Sequence, residues 1–416
     1  MWLYNIAIAL YTLAIKLGSL WIPKAKLWCD GRRDIFERMA AAIAPDDRIV
    51  WIHVASLGEF EQGRPLIEKI KAEYPEYKIL LTFFSPSGYE LRKSYACADY
   101  IFYLPADTLG NARRFLDIVH PEIAIYVKYE FWLNMLFELR RRSIRTYIVS
   151  AIFRKNSIFF RRYGFLWRRA LDSFNLIFVQ NEESKERLSK IGVEDVIVAG
   201  DTRFDRVAEV ARNVKSNQLV ESFRGSAQLL VAGSTWPVDE DLLVSIVEGH
   251  KDIKFVIAPH EIHESHLSEI EAKFPDAIRY TKAQECGNII DYQVLILDTM
   301  GHLSSIYHYA SWAYIGGGFG VGIHNTLEAS TFGLPIAFGP NYQKFKEAVD
   351  MVALGACSSI NSREELDAWF SELLNDVELC GQKSLAAKEY TVRNQGASDL
   401  IINAIFVEKS QTLTPQ

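Results

Sequence analysis

Cysteines are few in this sequence, and none is arranged for a disulfide framework or a metal site. The 416 residues include five cysteines, an odd number, and none forms a C-x-x-C pair. Disulfide-rich secreted domains use even sets of cysteines, and structural zinc sites use closely spaced ligand pairs. We therefore expect a protein of a reducing compartment that holds no disulfides and no metal ion.

Several common catalytic signatures are also missing. The sequence has no P-loop, no H-E-x-x-H, no G-x-S-x-G and no suitably placed D-x-D pair. Metal dependence is not indicated, and we expect no cofactor. What the chain does have is 49% hydrophobic and 24% charged residues, enough for two domains with cores of their own.

Charge is distributed unevenly along the chain. Residues 1–215 carry 33 Lys and Arg against 26 Asp and Glu (33 − 26 = +7), whereas the rest carry 13 against 26 (13 − 26 = −13). We expect the first half to meet an anionic partner and the second to be an acidic soluble domain. A chance imbalance between two solvated surfaces is the alternative.

The amino-terminal segment is strongly apolar but interrupted. Residues 2–22 include Asn5, Lys16, Gly18 and Ser19, whereas a spanning helix needs about 20 apolar residues. Aromatic residues within the segment and basic residues after it are typical of a membrane interface with the protein body in the cytoplasm. We predict a membrane anchor over residues 1–25, monotopic or marginally spanning. An apolar helix buried in the first domain is the alternative.

Short apolar runs alternate with amphipathic stretches from residue 49 onwards, which predicts doubly wound α/β domains. The predicted strands of a first domain, residues 26–210, are Ile49–Val54, Ile79–Phe84, Tyr100–Leu104, Ile123–Val127, Arg145–Val149, Leu176–Val179 and Val196–Val198. Those of a second, residues 211–408, are Leu229–Ala232, Phe255–Ala258, Val294–Leu297, Trp312–Ile315 and Pro335–Phe338. Polar sequence over 205–226 is interpreted as a linker, and the tail Glu408–Gln416 as disordered. We expect the two domains to face a cleft.

Two carboxylates follow strands of the first domain. The strand ending at Val54 is followed by S-L-G-E-F-E, in which Gly58 permits a tight turn and Glu59 lies near a helix start. A carboxylate there can accept a proton from an alcohol, or it can simply favour the helix N-terminus. Glu130 follows the strand Ile123–Val127. It can share in positioning and deprotonation, or it can simply form a salt bridge.

Nine arginines lie between residues 140 and 169, interleaved with aromatic side chains. Arginine recognises phosphate bidentately, so the stretch suits a phosphorylated lipid headgroup at a membrane surface. The acidic second half argues against nucleic acid. A solvated helix face is the alternative. The arginines predicted to meet the acceptor are Arg154, Arg161 and Arg162.

The second domain carries glycine-rich and polar motifs at four successive strand ends. Such turns can present backbone N–H groups to phosphate, although each one alone is also an ordinary strand-to-helix turn. In the last of them Asn325 opens a helix expected to hold a phosphate, and Glu328 is placed to bind ribose. The motifs contain Gly233-Ser234-Thr235, Pro259-His260-Glu261, Asp298-Thr299-Met300-Gly301-His302 and Gly316–Glu328.

Together these motifs resemble those of the bacterial 3-deoxy-D-manno-octulosonic acid (Kdo) transferases, from the anchor to about residue 395. The resemblance rests on S-L-G-E-F-E, E-F-W, G-D-T-R-F-D, G-S-T, D-T-M-G and G-G-G-F…H-N-T-L-E with G-L-P-I. It implies a GT-B architecture, with the lipid A precursor bound by the first domain and CMP-Kdo by the second, at the cytoplasmic face of the inner membrane. His260 stands where the family usually has Arg, His302 where it has Glu, and Arg203 where it has Lys.

The resemblance also implies residue roles. Glu59 is similar to the general base, and Glu130 and Arg203 to residues that stabilise the transition state. Ser56 and Gly58 join the three arginines as acceptor-binding residues. The expected CMP-Kdo contacts are Ser234, Thr235, Pro259, His260, Met300, Gly301, His302, Asn325, Thr326, Leu327 and Glu328. Two alternatives stay open: another GT-B enzyme, such as a UDP-sugar transferase or a sugar-nucleotide epimerase, and a non-catalytic lipid-binding protein.

Overall fold

Two parallel β-sheets organise the chain in the computed structural model, which describes residues 1–407. The chain divides into two compact units. Met1–Arg206 and residues 395–407 form the first unit, and Val207–Asn394 form the second. The predicted disordered tail, Glu408–Gln416, lies outside the described residues.

Seven strands form the sheet of the first unit. They are β1 (Ile49–Val54), β2 (Lys78–Phe83), β3 (Tyr100–Tyr103), β4 (Ile123–Val127), β5 (Arg145–Ala151), β6 (Leu176–Val179) and β7 (Val196–Val198). All neighbours are parallel, in the order β3-β2-β1-β4-β5-β6-β7. Along β1, Trp51 packs into the core on one face of the sheet and Ile52 into the core on the other. This alternation explains why the strand reads as a continuous apolar run.

Helices cover both faces of this sheet. Those before residue 200 are α1 (Trp2–Gly18), α2 (Pro23–Asp30), α3 (Ile35–Ala42), α4 (Leu57–Glu73), α5 (Pro86–Arg92), α6 (Leu109–Val119), α7 (Leu133–Arg141), α8 (Phe165–Leu171) and α9 (Glu182–Ser189), with a 3₁₀ turn at Ile158–Phe160. Gly63 on α4 shows how closely they pack, because a Cβ there would lie 3.2 Å from Val127 and 3.4 Å from Val54.

The second unit repeats the architecture. Its strands are β8 (Leu229–Thr235), β9 (Lys254–Pro259), β10 (Ala277–Arg279), β11 (Val294–Ile296), β12 (Trp312–Ile315), β13 (Ile336–Phe338) and β14 (Cys357–Ser359), parallel in the order β10-β11-β9-β8-β12-β13-β14. Its helices are α10 (Arg203–Arg212, which begins in the first unit), α11 (Gln218–Arg224), α12 (Pro237–Gly249), α13 (Glu264–Lys273), α14 (Tyr280–Ala283), α15 (Leu303–Ile306), α16 (Leu327–Ser330), α17 (Lys346–Ala353), α18 (Arg363–Asn375) and α19 (Val377–Arg393), with a 3₁₀ turn at Tyr307–Tyr309. The predicted class, two doubly wound α/β domains, is confirmed.

The domain limits differ from the predicted 26–210 and 211–408. Residues 205–226, interpreted as a linker, form α10 and α11 instead. The chain then returns to the first unit through α20 (Ala397–Ile402) and a π-helical turn, Asn403–Val407. The reason is apolar burial: Ile401, Ile402 and Ile405 belong to the core on the α4 side of the first sheet. Asp205 also accepts hydrogen bonds from the N–H groups of Gly396 (2.6 Å) and Ser398 (2.7 Å).

The amino-terminal segment forms two helices with a sharp bend between them. Within residues 1–407, no single helix is long and apolar enough to span a bilayer; α1 and α2 pass that test only as a pair, bent by 117°. The predicted anchor over residues 1–25 is therefore not confirmed as a spanning helix. One face of α1 packs on the first unit through Ile8, whereas Trp2, Leu3, Leu10 and other apolar side chains remain exposed.

Candidate functional site

The sheet of the first unit has its topological switch point at β1 and β4. From β1 the chain adds β2 and β3 on one side, and β4 begins the other side. Ligands of open α/β sheets bind beyond the carboxyl ends of the strands at such a point. The segments that leave these two strands there contain Glu59 and Glu130, as predicted from the sequence.

Glu59 lies in the first turn of α4, directly after β1. In a capping box, Ser56 would accept a backbone N–H and the glutamate would accept another. Within the described chain the Ser56 side chain accepts no backbone N–H of this helix, and its hydroxyl donates to the Glu59 carboxylate instead. The half-buried carboxylate is thus bonded by a side-chain hydroxyl, an arrangement compatible with service as a base.

The turn before α4 does not depend on Gly58. This glycine is exposed, and a Cβ added to it would meet only the Ser56 hydroxyl, at 3.9 Å. The expectation that Gly58 permits a tight turn is therefore wrong. The close approach occurs at Gly88, where a Cβ would lie 3.0 Å from the Ser56 carbonyl carbon and 2.5 Å from the Phe83 ring.

Glu59 shares its surroundings with Tyr129, Arg154 and Asp201. Burial raises the pKa of the Tyr129 phenol; the Arg154 guanidinium opposes this, and the carboxylates of Glu59 and Asp201 add to it. Because neighbouring charges shift a pKa mainly at short range, the charges of Glu59, Arg154 and Asp201 all lie near Tyr129. Arg154 is exposed, so its charge is accessible to an anionic ligand.

Glu130 is held by two side chains through one oxygen. The Trp132 indole N–H donates to Glu130 Oε2 at 2.7 Å, and His53 Nε2 lies 3.2 Å from the same atom. His53 is fully buried in β1, and its Nδ1 lies 2.9 Å from the Thr82 hydroxyl on β2. Sequence reasoning missed His53 because it stands inside an apolar run. A salt bridge from Glu130 to arginine was the alternative. Among the described residues, the carboxylate contacts His53 and Trp132 instead.

Arg203 is held by a carboxylate that sequence reasoning did not single out. Asp201 Oδ2 accepts hydrogen bonds from Arg203 Nε at 2.9 Å and Nη2 at 2.8 Å. Asp201 Oδ1 accepts from the Arg203 backbone N–H at 3.0 Å and from the Gln62 amide at 3.3 Å. This network orients the guanidinium at the start of α10.

The dense arginine stretch is not one surface, in contrast to its sequence interpretation. Arg141 and Arg142 pair with Glu138 at 2.6 and 3.0 Å, and Arg168 donates to two backbone carbonyls of the 159–161 turn. The predicted acceptor-binding residues Arg154, Arg161 and Arg162 are exposed. Tyr163 and Phe165 beside them are 74% and 62% exposed, so a basic and aromatic patch does exist at residues 161–165.

Strained backbone marks several strand ends. Lys128 after β4, Ser150 in β5 and Ser234 in β8 have φ values of 71°, 52° and 54°. Non-glycine residues seldom adopt this left-handed region, and such strain clusters at functional sites. All three residues lie towards the carboxyl ends of their strands, in agreement with the switch-point argument.

In the second unit the switch point lies at β8 and β12. The Asp239 carboxylate accepts hydrogen bonds from both of the segments that leave these strands. Its Oδ2 accepts the N–H groups of Trp236 and Gly317, both at 2.9 Å, and its Oδ1 accepts the Tyr314 hydroxyl at 2.7 Å. Asp239 is 1% exposed, and burial raises the pKa of its carboxyl. Sequence reasoning missed this residue, which fixes the glycine-rich loop. Nearby, the hydroxyl of the predicted donor contact Thr235 donates to the buried carboxylate of Glu240 at 3.1 Å.

Three aromatic rings stack beside this point. Trp236 stacks on His260 with ring centroids 4.9 Å apart, and His260 stacks on His324 at 4.2 Å. Pro259, which precedes His260, ends β9, and the His260 N–H donates to the Thr235 carbonyl at 2.9 Å. The predicted contacts Pro259, His260 and Thr235 are therefore neighbours.

His324 makes stability depend on pH in a defined direction. Burial, and next the neighbouring His260, lower the pKa of His324 to about 4 from an ordinary 6.5. Below pH 6.5 the unfolded chain binds this proton more readily than the native chain. We expect the melting temperature to fall as pH drops from 6.5 towards 4. Thermal melts across this range should show a shallower fall for His324→Gln, and an unchanged one for the exposed His263→Gln.

The segment expected to hold a phosphate starts a very short helix. Helix α16 has four residues, and the N–H of Leu327 donates to Asn325 Oδ1 at 3.2 Å. Asn325 Nδ2 donates to Glu328 at 3.0 Å, and the Ser304 hydroxyl donates to the other Glu328 oxygen. The Asn325 side chain thus occupies this N–H, and phosphate binding at this helix terminus stays a prediction. The buried Thr326 hydroxyl, in contrast, has no hydrogen-bond partner within residues 1–407.

The D-T-M-G-H segment is a turn with an exposed tip. Met300 is 80% exposed, and Gly301 has a φ of 89°. The His302 ring lies on Tyr280, with centroids 5.2 Å apart, and Asp298 accepts the Thr281 N–H at 3.0 Å. Across residues 1–407, no group of three or more His, Cys, Asp or Glu side chains is arranged to hold a metal ion.

Residues 33–206 match the family described as 3-deoxy-D-manno-octulosonic-acid transferase (kdotransferase). The transferase of that name from Rickettsia felis is 26% identical over 368 residues, which are 86% of this chain and 78% of the relative. The one from Haemophilus influenzae is 25% identical over 380 residues, 88% of each chain. The resemblance indicated by the sequence motifs is thereby confirmed.

Solved structures share the fold. UDP-GlcNAc 2-epimerase from Neisseria meningitidis bound to UDP-GlcNAc superposes with a TM-score of 0.62 at 15% identity, covering 86% of this chain and 99% of the epimerase. The UDP-GlcNAc 2-epimerase from Methanocaldococcus jannaschii gives 0.54 at 16% identity, covering 84% and 100%. At such identities the likeness is one of fold alone.

Proposed function

We propose that this chain, whose residues 33–206 match the Kdo transferase family, transfers Kdo from CMP-Kdo onto the lipid A precursor lipid IV-A in lipopolysaccharide biosynthesis. Relatives of that name match over most of its length. The observation that carries the proposal is Glu59 at the switch point of the first sheet, within the family motif S-L-G-E-F-E. Its carboxylate accepts a hydrogen bond from the Ser56 hydroxyl and lies near Tyr129, whose phenol also senses the charges of Arg154 and Asp201.

The proposed reaction is a direct displacement. Glu59 takes the proton of a primary hydroxyl of the acylated glucosamine disaccharide, and the oxygen forms a bond to the anomeric carbon of Kdo. The bond from that carbon to the phosphate oxygen breaks, and CMP leaves with the electron pair. General-base assistance of this kind contributes about 10²–10⁴-fold to the rate.

Glu130 and Arg203 would stabilise the charges that develop. The anomeric carbon becomes electron-poor as the phosphate departs, which favours a fixed carboxylate nearby. Glu130 suits this role because Trp132 and His53 hold one oxygen and leave the other to face the sugar. Asp201 orients Arg203 through a hydrogen bond of 2.8 Å. The positive guanidinium would stabilise the negative charge of the leaving phosphate.

We assign donor binding to the second unit. His260 lies within the ring stack, Thr235 and Pro259 adjoin it and Ser234 precedes Thr235, while Met300–His302 and Asn325–Glu328 supply further turns. The unpartnered Thr326 hydroxyl is a candidate phosphate or ribose contact, since a buried hydroxyl without a partner costs about 1–3 kcal/mol that a ligand recovers.

We further propose that the protein works at the cytoplasmic surface of the inner membrane. The outward face of α1 is apolar, with Trp2 70% exposed and Leu10 60% exposed. Arg161 and Arg162, next to the exposed rings of Tyr163 and Phe165, suit anionic headgroups. The Tyr4 ring of α1 lies 6.5 Å from the Trp167 ring of α8, so α1 packs beside the helix that follows these residues.

A ligand and product experiment tests the proposal. CMP at about 100 times its Kd is expected to stabilise the protein by about 2.7 kcal/mol and to raise its melting temperature. UDP at the same concentration should leave the melting temperature unchanged. Purified protein given CMP-Kdo and lipid IV-A should yield a lipid whose mass increases by whole Kdo residues. Protection by UDP alone, or the absence of such a product, would refute the function.

A further inference from the structure

Helix α1 is mostly apolar, but it turns two polar side chains towards the rest of the first unit. The Tyr4 hydroxyl donates to Asp107 Oδ2 at 2.6 Å, and Asn5 Oδ1 accepts from the Asn134 amide at 2.9 Å. Asp107 and Asn134 are each 2% exposed. A helix that served only as a lipid anchor would need no such contacts.

These contacts complete the amino terminus of α7. The first N–H groups of a helix have no partner within the helix itself, and Trp132 at the N-cap provides no side-chain acceptor. Instead, Leu133 N–H donates to the Tyr4 hydroxyl at 3.3 Å, and Asp107 accepts Asn134 N–H at 3.0 Å and Met135 N–H at 2.9 Å. We call this set the α1–α7 contact: Tyr4, Asn5, Asp107 and Leu133–Met135.

The residue that holds Glu130, Trp132, lies at the same end of α7. Trp132, directly before Leu133, donates its indole N–H to Glu130 Oε2. A second route from α1 reaches the same ring: Tyr11 stacks on Phe84 at 6.3 Å, and Phe84 packs on Trp132 at 4.6 Å. A shift of α1 would therefore displace Trp132, both through the polar contacts of Tyr4 and through the aromatic contacts of Tyr11.

We propose that Tyr4 is a positioning residue: through the α1–α7 contact, the amino-terminal helix fixes Trp132 and with it the Glu130 carboxylate. The inference rests on the proposed function only in taking Glu130 as a participant in transfer. In this proposal α1 supports the site of the first unit that contains Glu130, in addition to presenting an apolar surface to lipid. Removal of the Tyr4 hydroxyl deprives the Leu133 N–H of its acceptor and Asp107 of a donor.

Tyr4→Phe tests this, with Thr12→Val as matched control. Thr12 is on the same helix, and its hydroxyl donates to the Ile8 carbonyl of α1 at 2.8 Å. Hydrogen exchange measured without substrate should be on the order of tenfold faster at residues 133–135 of Tyr4→Phe, as expected for a lost buried hydrogen bond. In detergent with CMP-Kdo and lipid IV-A, kcat should fall on the order of tenfold at unchanged KM. Thr12→Val should match the wild type in both.

Binding to anionic phospholipid vesicles separates positioning from anchoring. Tyr4→Phe should sediment with vesicles like the wild type, because its outward face is intact. Asp107→Asn, which replaces an accepting oxygen by a donor, should loosen residues 133–135 in the same way. Unchanged exchange in both variants, faster exchange with unchanged kcat, or a loss of kcat that follows vesicle binding would each overturn the proposal. If the wild type forms no Kdo product, the proposed function fails, while hydrogen exchange still tests the α1–α7 contact.

Discussion

Glu59→Ala is expected to fold like the wild type and to lose about 10²–10⁴-fold in kcat for Kdo transfer. The loss follows from the removal of the only group proposed to take the proton of the attacking hydroxyl. Stability should change little, because an acidic residue in the first turn of a helix contributes only about 0.3–1 kcal/mol. Circular dichroism and thermal melts would measure stability, and product mass spectrometry would measure turnover.

Two further variants sharpen this test. Glu59→Gln keeps the size and hydrogen-bonding capacity of the side chain but cannot accept the proton, so it should be as inactive as Glu59→Ala. Glu61→Ala, two residues along α4, removes a carboxylate that pairs with Arg92 at 3.1 Å and should retain activity. Wild-type turnover by Glu59→Ala would eliminate the base assignment.

Asp239→Ala is expected to destabilise the protein by about 3 kcal/mol or more and to abolish protection by CMP. The change leaves the N–H groups of Trp236 and Gly317 and the Tyr314 hydroxyl without their common acceptor. Each buried group left unsatisfied costs about 1–3 kcal/mol. Denaturant titration would measure the first effect and calorimetry with CMP the second.

Asp239→Asn separates loop positioning from loss of charge. Its amide oxygen can still accept both N–H groups, and its NH₂ can donate to the Tyr314 oxygen, so most of the stability and CMP binding should remain. The surface variant Asp241→Ala, which loses an ion pair to Lys273 at 2.7 Å, should stay within about 0.5 kcal/mol of the wild type. If Asp239→Ala bound CMP with the wild-type Kd, the glycine-rich loop would not depend on this carboxylate.

Most of the fold was predictable, and the strands that were not have a common cause. Strands such as Ile123–Val127 are apolar runs buried on both faces, so they are visible in the sequence. The missed strands, Ala277–Arg279 and Cys357–Ser359, have three residues each and include an arginine or serines. They lie at the two edges of the second sheet and are recognisable only from their pairing with β11 and β13.

The candidate site was predictable where chemistry follows a strand directly. Glu59 and Glu130 were found because the carboxyl ends of parallel strands meet at one edge of a sheet. Their roles remain predictions for the experiments above. The groups that hold such residues were not found: His53 is 77 residues from Glu130, and Asp239 is 78 residues from Gly317. No local pattern connects positions so far apart.

The sequence by itself determined the α/β class, the resemblance to the Kdo transferases and the strand-end position of Glu59, because periodicity and motifs are local properties. Only the tertiary structure decided that the Glu59 carboxylate bonds Ser56 in place of a helix cap, and that residues 395–407 return to the first unit. It also decided that Tyr4 of α1 contacts the start of α7, next to the tryptophan that holds Glu130. Each of these depends on a backbone or side-chain group finding its hydrogen-bond partner or apolar neighbour in space, and buried polar groups must find such partners wherever the fold supplies them.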